Sequence, residues 1–262
     1  MTGYKHLWVL LARQWFLVRS NIVDNIINYM VIWPALFSGT SGYLVPRAFF
    51  PQNALIKGTE LIVGMVFLQF FVVSYFAVVE LLSERDESRV LQYHVQATSY
   101  TATFISRLLF YTMYTYILVL PFLPMCKLFL GSYFFTDNAQ WFVVPFVLFL
   151  VSLTVVSYIF CVFCTISTIR ELEYAWAWGA EPVLWLSGMW APSYVIAQSS
   201  LPGMNYFIRC NPFAYATESV RQLFFSDVQF ASLPICCGVM CLSVALCSLA
   251  SYLLMKRQIQ AV

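Results

Sequence analysis

The chain has 262 residues, 61% of them hydrophobic and only 10% charged, with a mean hydropathy of +0.77 and a formal net charge of +2. Soluble domains carry about 25% charged and 45–50% apolar residues, so this composition cannot build a water-facing surface and the bilayer must cover it. The thinly spread charge excludes a nucleic-acid-binding face, which needs clustered basic residues.

The fold these numbers predict is an all-α polytopic membrane protein. It has six transmembrane helices, an N-terminal amphipathic interfacial helix, and a re-entrant helical hairpin between helices five and six. In residues 4–20, Leu7, Trp8, Leu11, Trp15, Phe16 and Val18 are interspersed at helical spacing with Lys5, Arg13, Gln14 and Arg19. Basic residues with Trp and Phe on a short helix fit one lying in the interface plane, over 1–22. The other reading is an extended cytoplasmic start to the first span. Nothing here resembles a cleavable signal peptide, because Lys5, Arg13 and Arg19 interrupt the apolar residues.

A span needs about 20 mostly apolar residues, and six segments reach that length: 25–45, 60–82, 104–126, 141–166, 173–192 and 231–255. The fourth and sixth are the firmest by hydropathy. The first opens on Asp24, Asn25 and Asn28, and the fifth carries Glu181 near its middle. Lys and Arg favour the inner side: Lys5, Arg13, Arg19, Arg85, Arg89, Arg107, Arg170, Lys256 and Arg257, against Arg47, Lys57, Lys127, Arg209 and Arg221 outside. Both termini are therefore expected in the cytoplasm.

Two connections break the apolar pattern. Ser83-Glu84-Arg85-Asp86-Glu87-Ser88-Arg89 follows the second span with five charged residues in seven positions. Residues 193–228 are too long for a turn and too polar for a span. There Asn211 is a helix N-cap, Pro212 takes the first helical position, and Glu218 can pair with Arg221 or Gln222. A short helix dipping back into the outer leaflet is the natural reading.

Glu181-Pro182 is a carboxylate placed in a span beside a helix-kinking proline. It fits a hinge or a polar lining of a path. Equally, it fits a protonated Glu bonded to a Ser or Tyr of a neighbouring helix. Most Trp and Tyr are interface anchors, while Trp176, Trp178, Trp185 and Trp190 are candidates to line a path. Cys126, Cys161, Cys164, Cys236, Cys241 and Cys247 lie in apolar runs, so Cys161-x-x-Cys164 reads as structural, and Cys210 alone falls in a polar stretch. No Walker A loop, H-E-x-x-H or G-x-S-x-G occurs. An energised function must therefore draw on another subunit or on an ion gradient.

Taken together, these residues resemble the membrane (permease) subunit of bacterial type-2 ABC exporters, which serve drug, lipo-oligosaccharide and polysaccharide export. The resemblance rests on an amphipathic helix before six spans, on the Leu82–Ser88 acidic-basic run, and on Leu186-Ser187-Gly188-Met189-Trp190-Ala191-Pro192. It continues through Leu201-Pro202 and Asn211-Pro212-Phe213-Ala214-Tyr215 to Arg221. A departure is Arg89 after the acidic cluster, where the family often has Gly.

The resemblance implies an exporter of an amphipathic lipid, lipid-linked glycan or drug in the bacterial inner membrane. Two permeases, identical or similar, would join two cytoplasmic ATP-binding cassette subunits. ATP and Mg would sit on the partner, and this chain would bind no cofactor. It further implies a coupling helix at 83–98 using Glu84, Arg85, Asp86, Glu87, Arg89, Val90 and Leu91. The path or gate would draw on Glu181, Pro182, Trp185, Asn211, Pro212, Glu218 and Arg221. A polysaccharide exporter is the nearest alternative. Rivals of other classes are a non-energised scaffold and an intramembrane enzyme using Glu80 or Glu181.

Overall fold

The computed structural model describes residues 3–88, 100–166, 171–197, 203–225 and 230–260. All regular structure among them is helical. Four helices are long and apolar enough to cross a membrane, over Pro51–Ala77, Tyr100–Tyr133, Val144–Thr165 and Leu233–Arg257.

Helix α1 (Gly3–Val18) packs Leu10, Gln14 and Val18 inward and leaves Trp8, Trp15 and Phe16 exposed. Arg19 then covers the Phe16 ring at 4.3 Å. A short 3-10 turn at Arg19–Asn21 leads into a second helical run, α2, over 22–49. Its α-helical turns alternate with wider π turns at Ile27–Ile32 and Ser38–Leu44, each just before a turn that opens on proline, Pro34 or Pro46. Proline lacks a backbone N–H and its ring crowds the preceding turn, which accounts for the irregular hydrogen-bonding of the segment expected as the first span.

Helix α3 (Ala54–Ser88) runs unbroken for 35 residues. After Gly64 it contains neither Gly nor Pro, and no charge interrupts it between Glu60 and Glu80. Residues 83–88 therefore continue this helix, and the rest of the segment expected as a coupling helix, 89–98, lies outside the described residues.

The third span, expected over 104–126, is interrupted by a turn at 120–121. Helix α4 (Tyr100–Val119) stops at a turn containing Pro121, and α5 (Phe122–Leu130) carries on to Gly131, whose φ of 56° ends it. Helix α6 (Val144–Thr165) is charge-free and is the hub of the fold, packing against α3 and α4 and against the last two helices, α10 and α11, placed below. A further run, α7, spans 172–185 with a π segment at Ala175–Ala180.

Expected over 173–192, the fifth span ends sooner. The chain turns at 186–191 because Gly188 takes φ 77°, a conformation outside any right-handed helix. Short helices α8 (Ser193–Ala197), α9 (Met204–Cys210) and α10 (Pro212–Arg221) follow, and α11 (Leu233–Gln260) closes the chain.

Polar side chains join the spans sparingly. Ser152 donates to the Thr112 carbonyl at 2.9 Å, Ser74 to Thr115 at 3.3 Å, and Ser248 to Ser157 at 3.4 Å. Such bonds, with close packing at small residues, are what hold helices together in lipid. Gly58 supplies the latter: a Cβ there would stand 2.3 Å from the Gly42 carbonyl oxygen, so α2 and α3 touch backbone to backbone.

Candidate functional site

Helix α10 starts as its sequence predicts. Asn211 accepts from the Phe213 N–H at 3.0 Å and Pro212 occupies the first turn. The Asn211 amide also donates to the Val183 carbonyl at 2.9 Å, so one residue caps α10 and ties it to the end of α7. The rest of α10 is buried although much of it is polar: Thr217, Glu218, Ser219 and Arg221 are all enclosed.

Glu218 and Arg221 form an ion pair of 3.1 Å with both side chains out of solvent. Arg221 reaches on to the Gly188 carbonyl at 3.0 Å, and the second Glu218 oxygen accepts from the Phe230 N–H at 3.1 Å. Gln222 donates to the Ala231 carbonyl next to it. The pair thus fastens three segments together: the 186–191 turn, α10, and the chain leading into α11.

On its other side the turn presses on α3. A Cβ on Gly64 would lie 1.9 Å from the Met189 carbonyl oxygen. Tyr215 donates its phenol to the Arg209 carbonyl at 3.1 Å. Burial raises the Tyr215 pKa and Arg209 pulls it partly back, which leaves the phenol a donor at neutral pH.

Of the residues expected to line a path, Asn211, Pro212, Glu218 and Arg221 form this brace. The fold encloses Glu218 and Arg221. Glu181 and Trp185 are different. Glu181 is exposed, and its bond is to Trp176 Nε1 at 3.2 Å within its own helical run, not to a Ser or Tyr of a neighbouring helix. Pro182 follows the π segment, and within that segment the Gly179 carbonyl accepts from the Tyr158 hydroxyl. Trp178 is 79% and Trp185 62% exposed, while Trp176 packs on Tyr75 at 4.5 Å between ring centres. One surface of α7 thus combines a carboxylate with two uncovered indoles.

Of the proposed coupling residues, Glu84, Arg85, Asp86 and Glu87 lie on the last turns of α3. Arg89, Val90 and Leu91 are outside the described residues.

All eight cysteines are free thiols, and no group of metal-binding side chains occurs among the described residues. The sequence reading missed Gln69, whose amide donates to the Tyr29 carbonyl while its own oxygen is buried without a partner. Nearby, Asn25 donates to Tyr114 at 2.6 Å, so a polar seam joins α2, α3 and α4. A scan against protein-family models and a search of curated proteins found no match to the chain.

Proposed function

We propose that the chain is the membrane-embedded permease subunit of an ATP-driven exporter with the layout of the type-2 ABC exporters. It would carry an amphipathic lipid, lipid-linked glycan or drug outward. In this reading α2 and α7 complete six spans in the bacterial inner membrane, α9 and α10 form the re-entrant element on the outer side, and both termini are cytoplasmic. A second copy or a similar subunit pairs with it, and two separate ATP-binding cassette subunits supply hydrolysis.

The observation that carries the proposal is the exposed Glu181 on α7, flanked by Trp178 and Trp185. A carboxylate facing hydrocarbon costs several kcal/mol, and ionisable residues in spans face water-filled cavities or protein. Among the described residues, Glu181, Trp178 and Trp185 stay exposed in a single copy, whereas a paired copy enclosing an aqueous path would cover them. The charged end of α3 supports the rest of the reading. An unbroken helix ending in Glu84, Arg85, Asp86 and Glu87 gives a cytoplasmic motor a stiff handle on the membrane domain.

The test is co-purification. The native chain is expected to bring down a soluble subunit bearing a Walker A loop, with ATPase activity that depends on the complex. Glu84→Lys with Glu87→Lys is expected to reduce both by an order of magnitude or more, since like charges opposed across an interface cost several kcal/mol. If association and hydrolysis survive the double reversal unchanged, the coupling assignment is wrong. If no such subunit accompanies the native chain, the exporter reading itself falls.

A further inference from the structure

At the α5 end of α2, the Arg47 guanidinium lies over two tyrosine rings, 4.0 Å from the centre of Tyr43 and 4.7 Å from that of Tyr133. The rings meet edge to face at 5.3 Å. Arg47 donates one hydrogen bond, to the Tyr43 hydroxyl at 2.5 Å, and among the described residues it has no carboxylate within ion-pair distance. Its neighbours at this end are satisfied. Lys57 is paired with Glu60 at 2.7 Å, and Lys127 donates to the Phe134 carbonyl at 3.2 Å and to Thr136 at 3.1 Å. Arg47 is therefore a cation with most of its five N–H donors unused, held in place by stacking.

Two cavities meet at the same pair of tyrosines. One, of about 530 Å3, is lined by Arg47 and Gln52 with Tyr43 and Tyr133. The other, of about 480 Å3, shares Tyr43 and Tyr133 and continues along α2 past Gly39 to Ala35, walled opposite by Leu128 and Phe129. From Tyr43 to Ala35 is two helical turns, about 12 Å along the axis. Gly39 leaves open space where a side chain would stand, and Leu128 is 73% exposed. A cavity bordered by the Arg47 cation thus lies beside a second one, lined by Ala35, Gly39, Leu128 and Phe129 with Ser38 and Ser132, that runs along a helix of a membrane protein, and the two share Tyr43 and Tyr133. Tyrosine stands at the junction, as it does at bilayer interfaces.

We propose that this is a binding site for one anionic phospholipid. The headgroup phosphate takes the free guanidinium donors of Arg47, and one acyl chain lies in the trough between α2 and α5. The occupant follows from charge complementarity: a guanidinium with no carboxylate partner among the described residues calls for a phosphate, and a trough walled mainly by Ala35, Leu128, Phe129 and Leu130, with Ser38 and Ser132 among its lining, takes a hydrocarbon chain attached to it. The site belongs to this chain alone and does not depend on the exporter reading.

Native mass spectrometry of the purified full-length chain, released from phosphatidylcholine nanodiscs doped with phosphatidylglycerol, tests it. One phosphatidylglycerol is expected to remain bound in preference to phosphatidylcholine. Arg47→Gln is expected to weaken retention roughly ten- to a hundredfold, as for loss of a charge-assisted bond. Gly39→Phe fills the trough without touching Arg47, and should displace the lipid from a folded protein. Arg209→Gln, which removes an exposed guanidinium elsewhere, should leave retention unchanged.

The proposal is overturned if Arg47→Gln or Gly39→Phe binds phosphatidylglycerol as the native chain does. It also fails if Arg209→Gln lowers retention equally, which would indicate diffuse surface charge. Displacement of the lipid by inorganic phosphate would point to a soluble anion and overturn the lipid assignment. Because the motor subunit is absent, these outcomes are independent of those of the co-purification test.

Discussion

Arg221 reaches in two directions, to the Glu218 carboxylate on its own helix and to the Gly188 carbonyl across the turn, while its Nε finds no partner. Removing one member of a buried pair strands the other, which costs about 3–5 kcal/mol, whereas replacing both by apolar groups can be close to neutral. Arg221→Met is therefore expected to lower the thermal midpoint in detergent markedly. Arg221→Met with Glu218→Leu should recover part of the loss, as intrinsic Trp fluorescence would report. Equal melting of the single and double variants would mean that the pair is not a coupled unit. The pairing was legible in the sequence, because Glu218 and Arg221 stand three apart on a helix whose cap was also legible. The Gly188 partner was not: it lies 33 residues away and exists only because that glycine turns the chain back.

At the level of elements, glycine marks where backbones meet. Gly64 faces the Met189 carbonyl so closely that Gly64→Ala must push α3 off the turn, at an expected cost of about 1–3 kcal/mol. Gly238 on α11 has nothing near its missing Cβ, so Gly238→Ala should be neutral or gain a few tenths of a kcal/mol to about 1 kcal/mol through helix propensity. Thermal melts of the two variants decide the matter, and similar midpoints would contradict the contact at Gly64. Hydropathy located α3, α6 and α11 well because a long charge-free run has one solution in lipid. It misjudged the end of the fifth segment and did not register the turn within the third, which still makes one candidate span. Pro121 and Gly188 act through local backbone geometry, and hydropathy averages over it. The π turns of α2 and α7 were equally hidden, since they answer to Pro34, Pro46 and Pro182 and to packing that no window of composition contains.

For the whole molecule, the hydrophobic surface is unevenly distributed. Only 11% of the apolar window of α11 is buried, against 67% for α6, so α11 leaves Ile235, Leu242, Leu246, Leu249 and Leu253 uncovered. In water that surface would aggregate; in a bilayer it is solvated by acyl chains. Cys241, exposed within the apolar span of this helix, and Cys210, exposed outside the four long helices, give a direct assay. In intact cells a membrane-impermeant maleimide is expected to label Cys210 and spare Cys241. Labelling of Cys241 before solubilisation would place α11 in water and undo the membrane reading. Composition made the membrane class legible from the start, whereas the surfaces that meet a partner depend on which faces the fold leaves bare.

The unbroken length of α3 has a mechanical consequence. Its 35 residues span about 52 Å, well beyond the roughly 30 Å of hydrocarbon. It is clamped near its first turns, where Gly58 meets α2 and Gly64 meets the 186–191 turn. From Gly64 to Ser88 is about 36 Å, so a tilt of about 5° at the clamp sweeps the far end through about 3 Å. A displacement of that size at the charged tip would return to the clamp as a rotation small enough to leave the core packing of α6 intact. Such a rod acts as a lever, with its fulcrum at the two glycines and its charged tip beyond the apolar stretch Pro51–Ala77.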